Sequence, residues 1–177
     1  MKNKLVIGFL TIIVLSGLVV SCGSFATKKV SDVPPVEKII DIADTDAEVL
    51  VDRIKVWFRD TYRENLTGTY VAKSKTADLL LTGGEITYDS LFGSTMKRDD
   101  GNGDNRLLYD LNILVKDNKV KVSGKLYKSQ YYNRDIVIGD PWKDTSVSDG
   151  AIQIFTDHIT GIIDGLENQI VNSKFDF

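Results

Sequence analysis

The sequence has little of the chemistry that most catalytic and metal-binding sites need. Among its 177 residues there are one cysteine, Cys22, and one histidine, His158. One thiol can form neither an intrachain disulfide nor a cluster of cysteine ligands, and a zinc site with two histidines is excluded as well. The sequence also lacks a Gly-x-Ser-x-Gly nucleophile elbow and a phosphate-binding glycine loop. No catalytic set and no cofactor can therefore be inferred from the residues.

Basic clusters are missing too. The sequence has 22 Lys and Arg against 25 Asp and Glu, a formal net charge of −3. Loss of Lys2 and Lys4 with a cleaved N-terminus would bring the charge from −3 to −5. Proteins that bind nucleic acids use a surplus of positive charge to neutralise phosphates. We therefore expect no nucleic-acid partner.

The longest apolar run is too short to span a bilayer comfortably. Residues 5–20 carry no charge, and Lys2 and Lys4 precede them. A transmembrane helix needs about 20 apolar residues. A short positive segment followed by a shorter apolar run is instead typical of a secretory signal peptide. We predict such a signal peptide over residues 1–21.

The run ends in Val-Val-Ser-Cys at positions 19–22, which resembles the lipobox of bacterial lipoproteins. The resemblance implies that the Cys22 thiol is alkylated with diacylglycerol, that the signal is removed before it, and that the new amine is acylated. Several acyl chains form a stable membrane anchor without a transmembrane helix. The alternative is a simple N-terminal anchor in which Cys22 is incidental.

The segment after the signal is small, polar and closed by Pro34-Pro35, which disfavours helix. We predict that residues 22–35 are the lipidated cysteine and a flexible tether, and that residues 36–177 form a single domain. Lipoproteins kept in the inner membrane often carry Asp directly after the cysteine, where this chain has Gly23. By this analogy we expect an anchor in the outer membrane, with the domain facing the periplasm.

Two apolar stripes at helical spacing predict the helices. The first follows residues 45–48, Thr-Asp-Ala-Glu, which have the form of a capping box. The second begins near residue 148 and has Gly161 and Gly165 beside its apolar stripe. Each glycine lowers helix propensity by about 1 kcal/mol relative to alanine. Close packing of this helix on a sheet would explain why both are there.

Period-two alternation and flanking turn residues predict five strands, over residues 36–42, 69–74, 79–88, 106–116 and 119–128. Residues 83–84, Gly-Gly, predict a bulge or bend, and residues 117–118, Asp-Asn, predict a tight hairpin turn. Leu108 and Leu114 break the alternation of their strand. The order strand, helix, four strands, helix predicts a two-layer α+β domain with an antiparallel sheet and both helices on one face. The other face meets water or a partner.

These features together resemble those of a known protein family. The lipobox, the tether, the pair Trp57-Phe58 and the later β-meander are similar to a bacterial lipoprotein family of unknown function that is described as having a TATA-box-binding-protein-like fold. The resemblance covers residues 39–127 best and implies the same element order around a curved sheet. The family has no established activity to transfer. Its fold name does not imply DNA binding, because a fold does not fix a function.

The last predicted strand supplies a candidate binding surface. Lys119, Lys121 and Lys125 alternate with apolar residues and, with Tyr127, are expected on the sheet face opposite the helices. They could contact a partner or a ligand. The alternative is a solvated strand face that discourages aggregation at the sheet edge.

The acidic loop around residue 100 is the one segment that suggests a ligand. Asp100, Asn102 and Asp104 have the spacing that opens a calcium-binding loop. The sixth position is Asn105 rather than Gly, and the twelfth is Leu111 rather than Glu. This mismatch favours a solvated surface loop and leaves the three residues as weak candidates for a metal site.

Two other groups of residues have a structural and a functional interpretation. Asp157 directly precedes His158, but adjacent residues of a helix point apart and no nucleophile is beside it, so we predict a surface or boundary histidine. Tyr131, Tyr132 and Trp142 lie in the connection after the last strand. They either pack over the edge of the sheet, which is the favoured interpretation, or anchor a partner.

The expected function is that of a non-enzymatic, lipid-anchored protein of the cell envelope. Its N-terminal lipid would hold it to the membrane, and its open sheet face would bind an envelope protein or a ligand. The alternatives are calcium binding and an envelope hydrolase that uses carboxylates of the 99–110 loop, with Asp99, Asp104 and Asp110 as candidates.

The lipid anchor can be tested at Cys22. In Cys22→Ala we expect an unlipidated precursor, because no other thiol is present to accept the diacylglycerol. Mass spectrometry of the membrane fraction checks this expectation. A lipid-modified product from the variant would contradict the lipoprotein assignment.

Overall fold

The computed structural model describes residues 27–91, 94–136 and 138–172. The predicted signal peptide and Cys22 lie outside these residues. Among the residues that are described, no helix is both long and apolar enough to cross a membrane.

The described chain has two strands, an α-helix, seven further strands and a second α-helix, in that order. They are β1 (Thr27–Lys28), β2 (Val36–Asp41), α1 (Ala47–Tyr62), β3 (Tyr70–Val71), β4 (Thr76–Leu91), β5 (Ser94–Arg98), β6 (Asn105–Lys116), β7 (Lys119–Tyr132), β8 (Trp142–Asp144), β9 (Val147–Ser148) and α2 (Asp149–Asn172). A short 3-10 helix covers Val30–Asp32.

One antiparallel sheet has the order β2-β7-β6-β4-β3, with β5 added to β4 and β8 added to β7. The turn between β6 and β7 is the predicted hairpin, and Asn118 adopts there the positive φ of 61° that such a turn needs. The predicted bulge at residues 83–84 is confirmed, since the register of β4 against β6 shifts between Leu81 and Gly84.

The two faces of the sheet have opposite environments. Along β6 the buried positions are Leu107, Tyr109, Leu111, Ile113 and Val115. They face α1 and α2, whose own buried residues complete one hydrophobic core. The predicted two-layer α+β class, an open curved antiparallel sheet with two helices, is therefore confirmed.

Leu108 and Leu114 do not break the alternation of β6. Both occupy even-numbered positions of that strand, between residues that are buried under the helices. Their side chains therefore lie on the open face, as period-two geometry requires. The sequence pattern was regular, and the open face simply carries leucine at two of its positions.

The start of α1 differs from the prediction. The side chain of the N-cap residue, Asp46, makes no capping hydrogen bond. The Thr45 hydroxyl donates to the carbonyl of Ala43 rather than capping the helix. The amide of Ala47 donates to Oδ1 of Asp117, at 3.0 Å, so the carboxylate of the hairpin turn replaces the predicted capping box. This hydrogen bond lowers the pKa of Asp117 below its ordinary value.

Part of the segment predicted as a flexible tether belongs to the folded unit. Thr27 and Lys28 pair with Ser148 and Val147 in a small two-stranded sheet. Val33 is 5% exposed and packs in the hydrophobic core. The predicted domain boundary at residue 36 is therefore too late, because burial of this apolar side chain fixes the segment on the domain.

The two glycines of α2 have different surroundings. A Cβ built on Gly165 would lie 2.9 Å from Cζ2 of Trp57, so α2 needs glycine there to approach α1. A Cβ on Gly161 would meet nothing within 4 Å. Close packing therefore explains Gly165, with helix rather than sheet as its neighbour, and does not explain Gly161.

This difference predicts opposite effects of the same substitution. Gly161→Ala should raise the free energy of unfolding by about 0.5–1 kcal/mol, because alanine has the higher helix propensity and finds open space. Gly165→Ala should lower it, because the rigid indole of Trp57 must move. Chemical denaturation measures both, and equal effects of the two substitutions would contradict the packing described.

Candidate functional site

The four residues predicted to form a binding surface do lie on the open face. In β7 their neighbours Val120, Val122 and Leu126 are buried on the helix side, and Lys119, Lys121, Lys125 and Tyr127 point the other way. Tyr127 is the extra residue of a bulge, since the register of β7 against β6 shifts between Leu126 and Lys128.

Two of the three lysines have carboxylate partners on the edge strand β2. The Nζ atom of Lys119 lies 2.9 Å from Asp41, and that of Lys121 lies 3.0 Å from Glu37. The hydrogen bond from Lys121 lowers the pKa of Glu37, with a smaller effect from the Ser123 hydroxyl. These charged groups are therefore satisfied within the sheet, and the aliphatic stems of the lysines cover its surface.

Lys125 has a different environment. It lies opposite Asp110 in the register of β6 and β7, but no ion pair joins it to any residue that the structure describes. The Asp110 carboxylate instead accepts a hydrogen bond from the amide of Gly83, at 3.2 Å. Of the three predicted lysines, Lys125 thus has the charge that is most available to a partner.

The open face also has an apolar groove. Its exposed apolar residues come from three different strands: Ile39 is 57% exposed, Val71 51% and Leu114 45%. The groove has a volume of about 720 Å³ and is also lined by residues of β4, β6 and β7, among them Lys116 and Lys119. Sequence reasoning missed this groove, although the irregular Leu114 was its signal.

The far end of the same face has an aromatic cluster. The rings of Tyr132 and Trp142 meet edge to face at 5.3 Å, and the guanidinium of Arg106 lies 4.2 Å from the centre of the Trp142 ring. Trp142 therefore packs over the sheet, as the favoured interpretation predicted. Tyr131 and Tyr132 remain partly exposed, so their use by a partner stays a prediction.

The acidic loop has internal cationic partners. Two nitrogens of Arg98 donate to the Asp100 carboxylate and lower its pKa to about 2, and Arg134 donates to Asp104. The amide of Asn102 also donates to Asp100. Within the described residues no group of three or more His, Cys, Asp or Glu could hold a metal ion. Calcium would have to displace both arginines, so the geometry does not favour the calcium hypothesis.

Each of the carboxylates suggested for a hydrolase has a partner of its own. Asp99 pairs with Lys97, Asp104 with Arg134, and Asp110 accepts from a backbone amide on the open face. A cavity of about 310 Å³ is lined by Asp99 but by neither of the other two. The three carboxylates are thus engaged with different groups, which does not favour a pair of carboxylates working on one bond.

His158 has a specific partner that the sequence did not reveal. Its Nε2 lies 2.9 Å from the hydroxyl of Tyr109, whose ring lies against Gly84 of the neighbouring strand β4, where a side chain would leave no room for it. Burial, and to a lesser extent the nearby charge of Lys97, lowers the pKa of His158 to about 4. Burial raises the pKa of Tyr109 to about 12. Both groups are therefore neutral at pH 7. Their hydrogen bond joins α2 to β6 at the boundary of the core.

Comparisons with known proteins give no functional assignment. No protein-family model matches the sequence, and no curated protein matches it either. Two solved structures are similar to this chain. One is a TBP-like protein from Parabacteroides distasonis ATCC 8503, with 12% identity, a TM-score of 0.43, and coverage of 76% of this chain and 93% of that one.

The second is a DUF4468 family protein from Bacteroides ovatus ATCC 8483, with 11% identity and a TM-score of 0.44. The match covers 82% of this chain and 91% of that one. The strand order and helix positions of this chain itself define its fold.

The buried histidine predicts a pH dependence of stability. The pKa of His158 is about 4 in the folded chain against an ordinary value of 6.5, so the unfolded chain binds a proton more readily between these pH values. The free energy of unfolding should therefore fall as the pH drops from 6.5 towards 4. Nuclear magnetic resonance can follow the lone histidine directly, and an ordinary midpoint near 6.5 would contradict the burial described.

Proposed function

We propose that this chain is a lipid-anchored binding protein of the cell envelope that contacts its ligand with the open face of the sheet. The signal and lipobox pattern before Thr27 supports the anchor. The open face supports the binding role. The three carboxylates considered for a hydrolase, Asp99, Asp104 and Asp110, each have a partner of their own, which favours binding over hydrolysis.

The observation that carries the proposal is the composition of the open face. When one face of a sheet only meets water, each strand is expected to alternate cleanly between apolar residues on the buried face and polar residues on the exposed face. Here Ile39, Val71 and Leu114 place three exposed apolar side chains around one groove. Exposed apolar surface that is contiguous and rimmed by polar groups is typical of interaction sites.

The short sequence distance between Cys22 and the first strand supports a position close to the membrane. If Cys22 is the anchor, five peptide steps separate it from Thr27, which is already paired with β9. A chain extends by at most about 3.6 Å per residue, so this distance cannot exceed about 18 Å. We infer that the domain sits close to the membrane surface, on a shorter spacer than the sequence alone suggested. An outer-membrane, periplasm-facing location fits this arrangement and stays part of the proposal.

The binding role can be tested with two matched substitutions. Leu114→Glu places a charge in the groove, and Val56→Glu places one on the outer surface of α1, where Val56 is 41% exposed. Both sites are partly exposed, so both variants should fold. Copurification from solubilised envelopes should recover specific partners at least about tenfold less well with Leu114→Glu, a loss of about 1.4 kcal/mol.

The control variant should recover the same partners as the unmodified chain. Equal recovery with all three chains, or no specific partner with any of them, would contradict a binding role for the open face. Circular dichroism of both variants verifies that the fold is intact.

A further inference from the structure

We propose that the groove on the open face binds the hydrocarbon chain of a single-chain anionic amphiphile, such as a long-chain fatty acid, with its acidic group at Lys116. This inference rests on the proposed function, because it assigns a ligand class to the same face. Two features of the groove carry it, the apolar lining and the arrangement of the lysines, and the bilayer at the proposed anchor would be the source of the ligand.

The lining suits a hydrocarbon chain. The side chains of Ile39, Leu114 and Val71 stand on β2, β6 and β3, so apolar groups line the groove across the sheet. Its volume of about 720 Å³ lies within the range of about 300–1,000 Å³ that is usual for small-molecule sites. Each methylene group that enters such a groove leaves water, and this burial lowers the free energy of the complex.

The polar groups beside the groove are mostly engaged with each other. Asp78 accepts a hydrogen bond from the side-chain amide of Asn112, at 3.0 Å. Lys119 and Lys121 are held by carboxylates of β2, as described above. The paired lysines present their methylene stems to the groove, which extends its apolar surface.

Lys116 is the exception among the lining residues. Within the part of the chain that the structure describes, no ion pair joins it to an acidic residue. It also lies directly opposite Lys119 in the register of β6 and β7. Like charges opposite each other on neighbouring strands are unfavourable. Asp41 already pairs with Lys119, which leaves Lys116 as the lining cation without an acidic partner among the described residues, so charge complementarity favours an anionic ligand over a neutral one.

The anchor supplies the source of such a ligand. The limit of about 18 Å between Cys22 and Thr27 would keep the domain beside a bilayer, where single-chain acids partition. A groove that opens on the side away from the helices can receive such a chain without displacing any residue of the core.

The experiment uses the full chain in its membrane and a fatty acid that carries a photoactivatable diazirine in its chain. After illumination, mass spectrometry maps the adducts. We expect them on peptides of β2, β4 and β6 that line the groove. Leu114→Glu should reduce them by at least about tenfold, because a buried charge opposes the hydrocarbon, and Val56→Glu should leave them unchanged.

A second probe tests the contribution of the acidic group separately from that of the hydrocarbon chain. The corresponding fatty alcohol with the same diazirine has no charge. We expect Lys116→Gln to reduce labelling by the acid about threefold, as for an exposed ion pair, and to leave labelling by the alcohol unchanged. Equal labelling by acid and alcohol in the unmodified chain would overturn the role of Lys116.

The outcomes also distinguish this inference from the proposed function. Adducts spread over α1 and α2 as much as over the groove, or no adducts at all, would overturn the ligand class. If Leu114→Glu nevertheless abolished partner recovery, the open face would remain a binding surface with a different ligand. Ile39→Glu serves as a second groove variant, since Ile39 is more exposed than Leu114 and its substitution disturbs the fold less.

Discussion

The register of β6 against β7 is the constraint on which the rest of the structure depends. The turn at Asp117 and Asn118 fixes it, and a slip of one residue would move every buried side chain of these strands to the open face. The same turn caps α1 through the Asp117 carboxylate, so one short segment sets both the strand pairing and the start of the helix. The strand register decides which side chains of β6 and β7 face the helices, and the cap fixes where α1 begins above them.

Two bulges then modify this regular sheet. The bulge at Gly83 and Gly84 makes room for the ring of Tyr109, which reaches His158 on α2. The bulge at Tyr127 shifts the following part of β7 by one residue. The open face consequently has two regions: an apolar groove beside the hairpin turn, and a region of aromatic and charged side chains near β8.

Much of the candidate site was predictable because strand geometry is local. Lys119, Lys121 and Lys125 had to share a face once their strand was recognised, since side chains alternate along it. Their ion pairs were not predictable, because Glu37 and Asp41 lie on a strand about 80 residues earlier, and nothing in the sequence states that β2 is the neighbour of β7. The exposed Leu114 looked like an irregularity for the same reason, since its meaning depends on Ile39 and Val71.

The sequence by itself determined both helices, the longer strands, the two-layer class and the segregation of polar from apolar positions, because these depend on periodicities of two and 3.6 residues. Tertiary structure alone decided which charged residues form ion pairs. It also decided that Arg98 and Arg134 bind the carboxylates of the acidic loop and that Val33 belongs to the core. The physical reason is that these contacts join residues distant in sequence. Their formation depends on strand order and register, which the pattern of any one segment does not contain.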